Sequence, residues 1–280
     1  MTEEENRQKV RQGYAKIAQK QGSCCNCGAS YEASKKMGYS EEDLEAVPEG
    51  ANMNLGCGNP VALASLKEGQ TVIDLGSGGG FDCFLAAKKV GQNGKIIGVD
   101  MTPEMIDKAR ENARKGEYKN VEFRLGEIEN LPVADNTADV IISNCVINLA
   151  PNKKKVFQEA FRVLKSGGRL MISDLVLLKE LPDAMKKVMD STSCITGAMM
   201  KDKYIETIKK VGFENVRILQ EKGYCSEDFE DDPDAEIQIF NSKTNTTETK
   251  KVSELDEREK QRMKETLEAV LSINVSAIKP

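Results

Sequence analysis

Short apolar runs rich in β-branched residues alternate with helical patterns through the middle of the chain. The runs are TVIDLG, KIIGVD, VEFRL, ADVIISN and GRLMISDLVLL, and the helical patterns between them include FDCFLAAKKVG, PEMIDKARENARKG and NKKKVFQEAFRVLKSGG. Strands that alternate with helices form βαβ units, in which helices cover both faces of a parallel sheet. The alternation therefore predicts an α/β fold built on a mostly parallel sheet.

The segments on either side of this core differ from it in pattern. Residues 1 to about 20 and YSEEDLEAVPEG read as helices, residues 180–200 form a Met-, Ser- and Thr-rich interruption, and residues 226–250 are acidic and polar, as expected of a loop. ELDEREKQRMKETLEAVLS then predicts a helix and INVSAIKP a final strand. We divide the chain into a cysteine-bearing helical segment (1–60), a core with a substrate-site insertion at about 180–200 (61–225) and a C-terminal extension (226–280).

Charge and hydropathy exclude several classes of function. The net charge is −5 and the pI about 5.2, whereas nucleic-acid binding favours a basic face. The start MTEEENRQKV has no apolar core for a signal peptide, and no apolar run reaches the ~20 residues that span a bilayer. We expect a cytoplasmic protein with no nucleic-acid or membrane partner, and a monomer because the acidic chain has no long apolar face.

The cysteine and histidine contents limit the available chemistry. The chain has 8 Cys and 0 His, which excludes imidazole acid–base catalysis and any mixed Cys–His metal site. Thiols stay reduced in the cytosol, so metal or redox chemistry is favoured over a disulfide framework.

The segment TVIDLGSGGGFD places a glycine-rich turn directly after a predicted strand. Glycines let a backbone turn sharply and approach a ligand closely. A dinucleotide fingerprint would need Gly at position 81, which is Phe81, so an NAD-binding alternative shares the fold but not the glycine spacing. Asp-Leu-Gly-Ser-Gly-x-Gly instead resembles the S-adenosylmethionine-dependent methyltransferases. The resemblance implies a Rossmann-like class I fold with a seven-stranded sheet, whose last strand is antiparallel.

The predicted cofactor site collects residues from the ends of four strands. Asp100 ends the second strand, where a carboxylate can accept both ribose hydroxyls, and by resemblance the loop with Glu127 and Ile128 flanks the adenine. Asn144 ends the fourth strand and is expected to face the cofactor. The complete set is Asp74, Gly76, Ser77, Gly78, Asp100, Met101, Glu127, Ile128 and Asn144.

Three cysteines from separate segments can converge beside this site. Cys145 follows Asn144, Cys57 lies in LGCGNP, and Cys194 lies in STSCITGAMM after the fifth strand. Ligands of open α/β sheets bind outside the carboxyl ends of the strands, which places Cys145 beside the cofactor. Thiolates select soft, thiophilic centres, and a trivalent arsenical that takes three sulfurs fits such a trio.

The motifs LGCGNP, DLGSGGGFD, SNCVINL and CITGA together closely resemble the microbial arsenite methyltransferases, from about residue 20 to the final SAIKP. The resemblance implies that Cys57, Cys145 and Cys194 bind As(III), and that S-adenosylmethionine methylates arsenite and then methylarsenite, leaving S-adenosylhomocysteine. It also implies arsenic detoxification with a thiol reductant such as thioredoxin or glutathione. Cys24, Cys25 and Cys27 compete for the role of the family's further redox cysteine. Leu55 stands where some members have Tyr, which puts any role of that Tyr in doubt.

Several alternatives remain at this point. Cys24, Cys25 and Cys27 can bind zinc together with Cys57, Cys83 reads as a small buried hydrophobe, and Met199 and Met200 read as packing of a substrate lid. The same fold and the GEIENLP loop also suit a methyltransferase for a small organic acceptor. A non-catalytic arsenic-binding or metal-binding protein is the third possibility, although the intact cofactor motifs count against it.

Overall fold

The computed structural model describes residues 2–20, 34–35, 37–181, 194–223, 236–241 and 246–280. Cys24, Cys25, Cys27 and Cys225 lie outside these residues, so the expectations for Cys24, Cys25 and Cys27 are carried by the sequence alone. The helices are α1 (Glu3–Lys20), α2 (Glu41–Glu45), α3 (Pro60–Leu63), α4 (Phe81–Val90), α5 (Pro103–Lys115), α6 (Lys153–Val163), α7 (Lys201–Val211) and α8 (Glu257–Leu267). The strands are β1 (Thr71–Leu75), β2 (Lys95–Asp100), β3 (Val121–Leu125), β4 (Ala138–Asn144), β5 (Leu164–Leu177), β6 (Met199–Met200), β7 (Glu214–Gly223), β8 (Glu236–Asn241), β9 (Thr246–Lys251) and β10 (Val270–Ile278).

The central sheet has the strand order β3-β2-β1-β4-β5-β10-β7. Strands β1 to β5 are parallel, while β10 lies between β5 and β7 and is antiparallel to both. This confirms the predicted fold class and the antiparallel final strand. The two-residue strand β6 pairs with the end of β5 and adds an eighth strand to the seven that were predicted.

Both faces of the sheet are buried, as the continuous apolar strands require. On β1, Val72 packs into one apolar cluster with Phe84 and Ile106, while its neighbour Ile73 packs into another with Phe157. Adjacent residues of a strand point to opposite faces, so the two clusters are the two sides of one sheet. Helices supply the covering side chains on each side, and the carboxyl ends of the parallel strands β1, β2 and β4 lie at the same end of the sheet.

The C-terminal extension differs in detail from the prediction. Residues 236–241 and 246–251 pair as an antiparallel hairpin, within a segment expected to be a loop. The acidic composition hid the high β-propensity of EIQIF and of the three threonines in TTETKK. Helix α8 ends at Leu267 and β10 begins at Val270, earlier than the predicted INVSAIKP strand. None of the described helices is long and apolar enough to cross a membrane.

Candidate active site

The glycine-rich turn after β1 is held against β2 by backbone hydrogen bonds. Gly76 N and Ser77 N both donate to the carbonyl of Val99, at 2.8 and 3.0 Å. Gly76 and Gly78 have φ of 68° and 48°, a left-handed conformation that costs other L-residues about 1–2 kcal/mol. A Cβ at Gly78 would meet nothing within 4 Å, so the turn faces open space. The backbone is thereby shaped as a rim around a cavity.

All nine residues predicted for the cofactor line one cavity at this rim. The cavity also receives Cys145 and two residues that sequence reasoning missed, Tyr39 and Asp82. The N-terminal helix forms part of its wall through Arg7, Val10 and Tyr14, and the segment from Ala51 to Gly56 forms another part. The structure therefore brings the predicted set together, and it adds a cover that the sequence did not assign to this place.

Three carboxylates give the cavity an acidic character. Asp100 accepts hydrogen bonds from Gly78 N at 3.0 Å and Thr102 N at 2.8 Å, which fixes the orientation of its carboxylate. Burial raises the pKa of Asp100, and burial together with the charge of Asp82 raises the pKa of Asp74 well above its ordinary range. Burial also raises the pKa of Asp82 to about 6. A cationic ligand would be favoured here because it relieves the repulsion among these groups.

Helix α1 closes the cavity through ion pairs with the loop after β3. Arg7 Nε lies 3.3 Å from Glu129 Oε2 and 3.6 Å from Glu127 Oε2, and Arg11 reaches Glu127 at 3.4 Å. Glu129 is 3% exposed, and Val10 on the same helix is completely buried. The helix was predicted from its pattern, but its docking on the GEIENLP loop depends on contacts more than 100 residues apart in sequence.

The three predicted arsenic ligands share one apolar cluster beside this cavity. Cys145 and Cys194 are buried members of the cluster, and Cys57 packs against it. The ligand atoms of Cys57, Cys145 and Asp174 all lie within 4.8 Å of one another. Cys194 does not belong to that closest group, and its Sγ donates a hydrogen bond to the carbonyl of Cys145 at 3.0 Å.

Cys145 holds an unusual backbone conformation. Its φ of 60° is left-handed, in a residue with a side chain, and its N–H donates to the carbonyl of Ser173 at 2.8 Å. Such conformations cost free energy and are retained where the surrounding structure enforces them, often at functional sites. The bend turns the chain away from β4 directly after Asn144, where the thiol can face the other cluster members.

The thiols of Cys57 and Cys145 favour the protonated form. Burial raises the pKa of Cys57. A hydrogen bond with Cys194 lowers the pKa of Cys145, but hydrogen bonding to Cys57 and burial outweigh it and leave that pKa well above its ordinary value. Burial raises the pKa of Asp174 to about 7, although hydrogen bonds from Leu175 and Tyr204 oppose the shift. A ligand that binds through thiolates must therefore displace protons from this cluster.

The loop that carries Cys57 is fixed from two strands. Asn144 Oδ1 accepts from Cys57 N at 2.9 Å, and Asn144 Nδ2 donates to Gly58 O at 2.8 Å. From β10, Ser272 Oγ donates to Cys57 O at 2.9 Å. Asn144 was expected to face the cofactor; it lines the cavity, but its amide group is engaged by protein atoms, Asp82 among them.

Cys83, Met199 and Met200 have packing roles. Cys83 is completely buried and donates to Asp74 Oδ2 at 3.2 Å, as a small core residue with one polar contact. Met199 packs against the main core cluster and Met200 against the cluster of the three cysteines. Leu55 lines the cofactor cavity.

The sequence and the fold are similar to those of known methyltransferases. A methyltransferase-domain family model matches residues 66–212. An arsenite methyltransferase of Halobacterium salinarum is 49% identical over 230 residues, which is 77% of this chain and 59% of that protein. An arsenite methyltransferase of Homo sapiens is 37% identical over 175 residues, 59% of this chain and 46% of that protein. The chain thus spans less than two thirds of the length of these relatives.

A solved structure is similar to this chain in fold as well as in sequence. The crystal structure of an arsenic(III) S-adenosylmethionine methyltransferase from Chlamydomonas reinhardtii matches with a TM-score of 0.61 and 31% identity. The match covers 88% of this chain and 73% of the Chlamydomonas chain. These similarities leave the NAD-binding alternative without support. The chain belongs to the methyltransferase-domain family and, within it, to the arsenite methyltransferases.

Proposed function

We propose that this protein transfers the methyl group of S-adenosylmethionine to thiolate-bound As(III), first as arsenite and then as methylarsenite, and so serves arsenic detoxification. The observation that carries the proposal is the position of Cys145, which lines the cofactor cavity and lies in one cluster with Cys57 and Cys194. A methyl donor in the cavity and a thiol-bound acceptor in the cluster would then face each other.

The cavity suits S-adenosylmethionine on two grounds. Its buried carboxylates complement a ligand that carries a positive sulfonium and a positive ammonium group. Among the described residues that line it, Ser77 has a buried Oγ with no hydrogen-bond partner, as expected of a group that a ligand completes. Asp74 and the glycine turn would hold the methionine part, Asp100 the ribose, and Glu127 and Ile128 the adenine.

The cofactor, when bound, supplies an electrophilic methyl group. The chain's own part is to position the acceptor, since an in-line displacement depends mainly on the alignment of the reacting atoms. The nucleophile is the arsenic lone pair, which carries no proton, so a chain without histidine needs no general base for the transfer. Helix α1 and the apolar side chains around the thiols exclude water from the path between donor and acceptor.

Arsenic binding uses the protonated thiols directly. Each As–O bond of arsenite is replaced by an As–S bond, and the thiol proton leaves with the hydroxyl as water. Cys57 and Cys145 already face each other, while Cys194 gives up its hydrogen bond to the Cys145 carbonyl to become the third ligand. Soft thiolate ligands favour this exchange.

Turnover requires two electrons for each methyl group, because methylation formally oxidises arsenic. Two of the thiolates supply them by forming a disulfide, which returns the product to As(III). A thioredoxin-type protein or glutathione then reduces the disulfide, with Cys24, Cys25 or Cys27 as the relay. This relay follows from the family resemblance and lies outside the described residues.

The test is an assay of methylated arsenic with arsenite, S-adenosylmethionine and a thiol reductant. We expect product with the wild type and a loss of at least about 100-fold with Cys57→Ser, Cys145→Ser and Cys194→Ser, while each variant still binds S-adenosylhomocysteine. Transfer to a small organic acceptor in place of arsenic would support the alternative methyltransferase. Full activity in all three variants would refute the arsenic site.

A further inference from the structure

A buried carboxylate lies among the thiols, and methyl transfer gives it no task. Asp174, on β5, is 0% exposed, and its carboxylate belongs to the group within 4.8 Å that includes the Sγ atoms of Cys57 and Cys145. An arsenic centre with three sulfur ligands has no need of a carboxylate. The position of Asp174 places an oxygen ligand beside two sulfur ligands, a combination that suits an ion able to bind both.

Hydrogen bonds fix the direction in which this carboxylate faces. Asp174 Oδ1 accepts hydrogen bonds from Asn148 Nδ2 and from Leu175 N, both at 2.9 Å, and Oδ2 accepts one from Tyr204 OH at 3.0 Å. Carboxylates that bind metals are characteristically oriented by such outer hydrogen bonds. Oδ1 thus accepts two hydrogen bonds and Oδ2 only one, so Oδ2 keeps a lone pair for a further ligand.

We propose that Cys57, Cys145 and Asp174 form a binding site for a thiophilic divalent cation, Zn²⁺ or Cd²⁺, that shares two thiols with the arsenic site. Zn²⁺ takes thiolate sulfur at about 2.3 Å and carboxylate oxygen at about 2.0–2.2 Å in a tetrahedral arrangement. Ligand atoms in that geometry are roughly 3.5–3.8 Å apart, so a closure of no more than about 1 Å lets the group bind the ion. A water molecule completes the fourth position.

The two ligand sets differ in one member. Arsenic takes Cys57, Cys145 and Cys194, whereas the divalent cation takes Asp174 in place of Cys194. The overlap makes the cation a competitor of arsenite, and this consequence rests on the proposed function. The cation site itself stands on the geometry of Asp174 and the two thiols.

The difference allows a reciprocal test in the full-length chain. The reference protein carries Cys24→Ser, Cys25→Ser, Cys27→Ser and Cys225→Ser, which removes thiols that can bind a cation elsewhere. Cd²⁺ is titrated and followed by the ultraviolet thiolate-to-cadmium absorption. We expect one Cd²⁺ per chain, an affinity at least about tenfold lower with Asp174→Asn, and an affinity within about twofold of the reference with Cys194→Ser.

Titration of the same proteins with arsenite should give the opposite pattern of effects. Asp174→Asn should bind arsenite as the reference does, and Cys194→Ser should lose it. Equal Cd²⁺ affinity in the reference and Asp174→Asn would overturn the proposal, as would an equal loss of Cd²⁺ in Cys194→Ser, which would indicate a site of three thiols. Because no methyl donor is present, failure of the methylation assay would not change these outcomes.

If Asp174→Asn does not fold, a second measurement on the reference protein, in which Asp174 is intact, still tests the site. X-ray absorption at the zinc edge of the Zn²⁺-loaded reference protein should show two sulfur neighbours at about 2.3 Å together with oxygen neighbours at about 2.0–2.2 Å. A shell of three or four sulfurs, or one of oxygen alone, would contradict the site.

Discussion

The backbone N–H of Cys57 donates a hydrogen bond to Oδ1 of Asn144 at 2.9 Å, across 87 positions of sequence. The same amide group donates from Nδ2 toward Gly58 O and toward Asp82 Oδ2, which belongs to the cofactor cavity. One side chain at the end of β4 therefore joins the loop that carries a thiol to the wall of the cofactor site. Under the proposed function, this connection would set the distance between the methyl donor and the thiol-bound acceptor.

Replacement of Asn144 by Ala should act first on the thiol site. The change leaves Cys57 N and Gly58 O without their partner, and a buried unsatisfied group costs about 1–3 kcal/mol. We expect arsenite affinity to fall at least about tenfold, with a smaller loss in S-adenosylhomocysteine affinity, by titration calorimetry of both ligands. A larger effect on the cofactor than on arsenite would show that Asn144 is mainly a cofactor ligand.

Ser272→Ala is the matched control from the other strand. Ser272 Oγ donates to Cys57 O, and Ser272 is not among the residues that line the cofactor cavity. We expect weaker arsenite binding and unchanged S-adenosylhomocysteine binding. If Ser272→Ala leaves arsenite affinity untouched, the position of the Cys57 loop does not depend on the hydrogen bond from Ser272.

Gly78→Ala should separate backbone strain from loss of ligand space. Gly78 and Gly69 both have positive φ, 48° and 79°, and a Cβ at either would meet nothing within 4 Å. Because both positions are left-handed, Ala at either should lower the free energy of unfolding by about 1–2 kcal/mol. Of the two, only Gly78 lines the cavity. S-Adenosylhomocysteine affinity should fall at least about tenfold in Gly78→Ala alone. Equal affinities in the two variants would place the cofactor elsewhere.

The ion pair between Arg7 and Glu129 should hold the N-terminal helix over the cofactor. Arg7→Ala leaves the nearly buried Glu129 without its cation, and we expect about 1–3 kcal/mol of destabilisation. Dissociation of S-adenosylhomocysteine, measured by stopped-flow, should become several-fold faster.

Lys115→Ala is the control for Arg7→Ala. It removes an ion pair between Lys115 and Glu111, whose side chains are 60% and 55% exposed. It should cost less than about 1 kcal/mol, because exposed pairs contribute little, and leave the dissociation rate unchanged. Identical dissociation rates in wild type and Arg7→Ala would mean that α1 does not gate the cavity.

Asp174 should make stability depend on pH. Burial raises its pKa from 3.8 to about 7, so the folded protein binds this proton more tightly than the unfolded chain. The resulting stabilisation is complete below a pH of about 4 and is lost as the pH rises to about 7. Relative to Asp174→Asn, the wild-type free energy of unfolding should decrease by a few kcal/mol over that range, on the order of 1.4 kcal/mol per pH unit. Urea unfolding at a series of pH values measures it, and parallel profiles of the two proteins would contradict it.

The core and the positions of the site residues could be predicted because they depend on local pattern. Buried parallel strands must be apolar and β-branched, and their carboxyl ends must carry the ligand-binding residues, so Asp74, Asp100 and Cys145 are readable in sequence. The family motifs place Cys57 and Cys194 as well. The structure gathers these residues as expected.

The remaining features depend on contacts that no local pattern reveals. Asp174 is one carboxylate inside the apolar run LMISDLVLL, and only the fold shows that it faces two thiols. The docking of Arg7 on Glu129 and the hydrogen bonds of Asn144 join residues separated by 122 and 87 positions. Asp82 offered a weak signal, as an acidic residue in the first turn of the helix after the glycine loop.

A single-turnover reaction shows whether the methyl group passes from S-adenosylmethionine to arsenic. Protein in excess is loaded with arsenite and mixed with S-adenosylmethionine that carries a radioactive methyl group, without added reductant. We expect the label on arsenic, recovered as methylarsenic after denaturation, in an amount equal to the S-adenosylhomocysteine formed. Intact S-adenosylmethionine, or label recovered on anything other than arsenic, would contradict it.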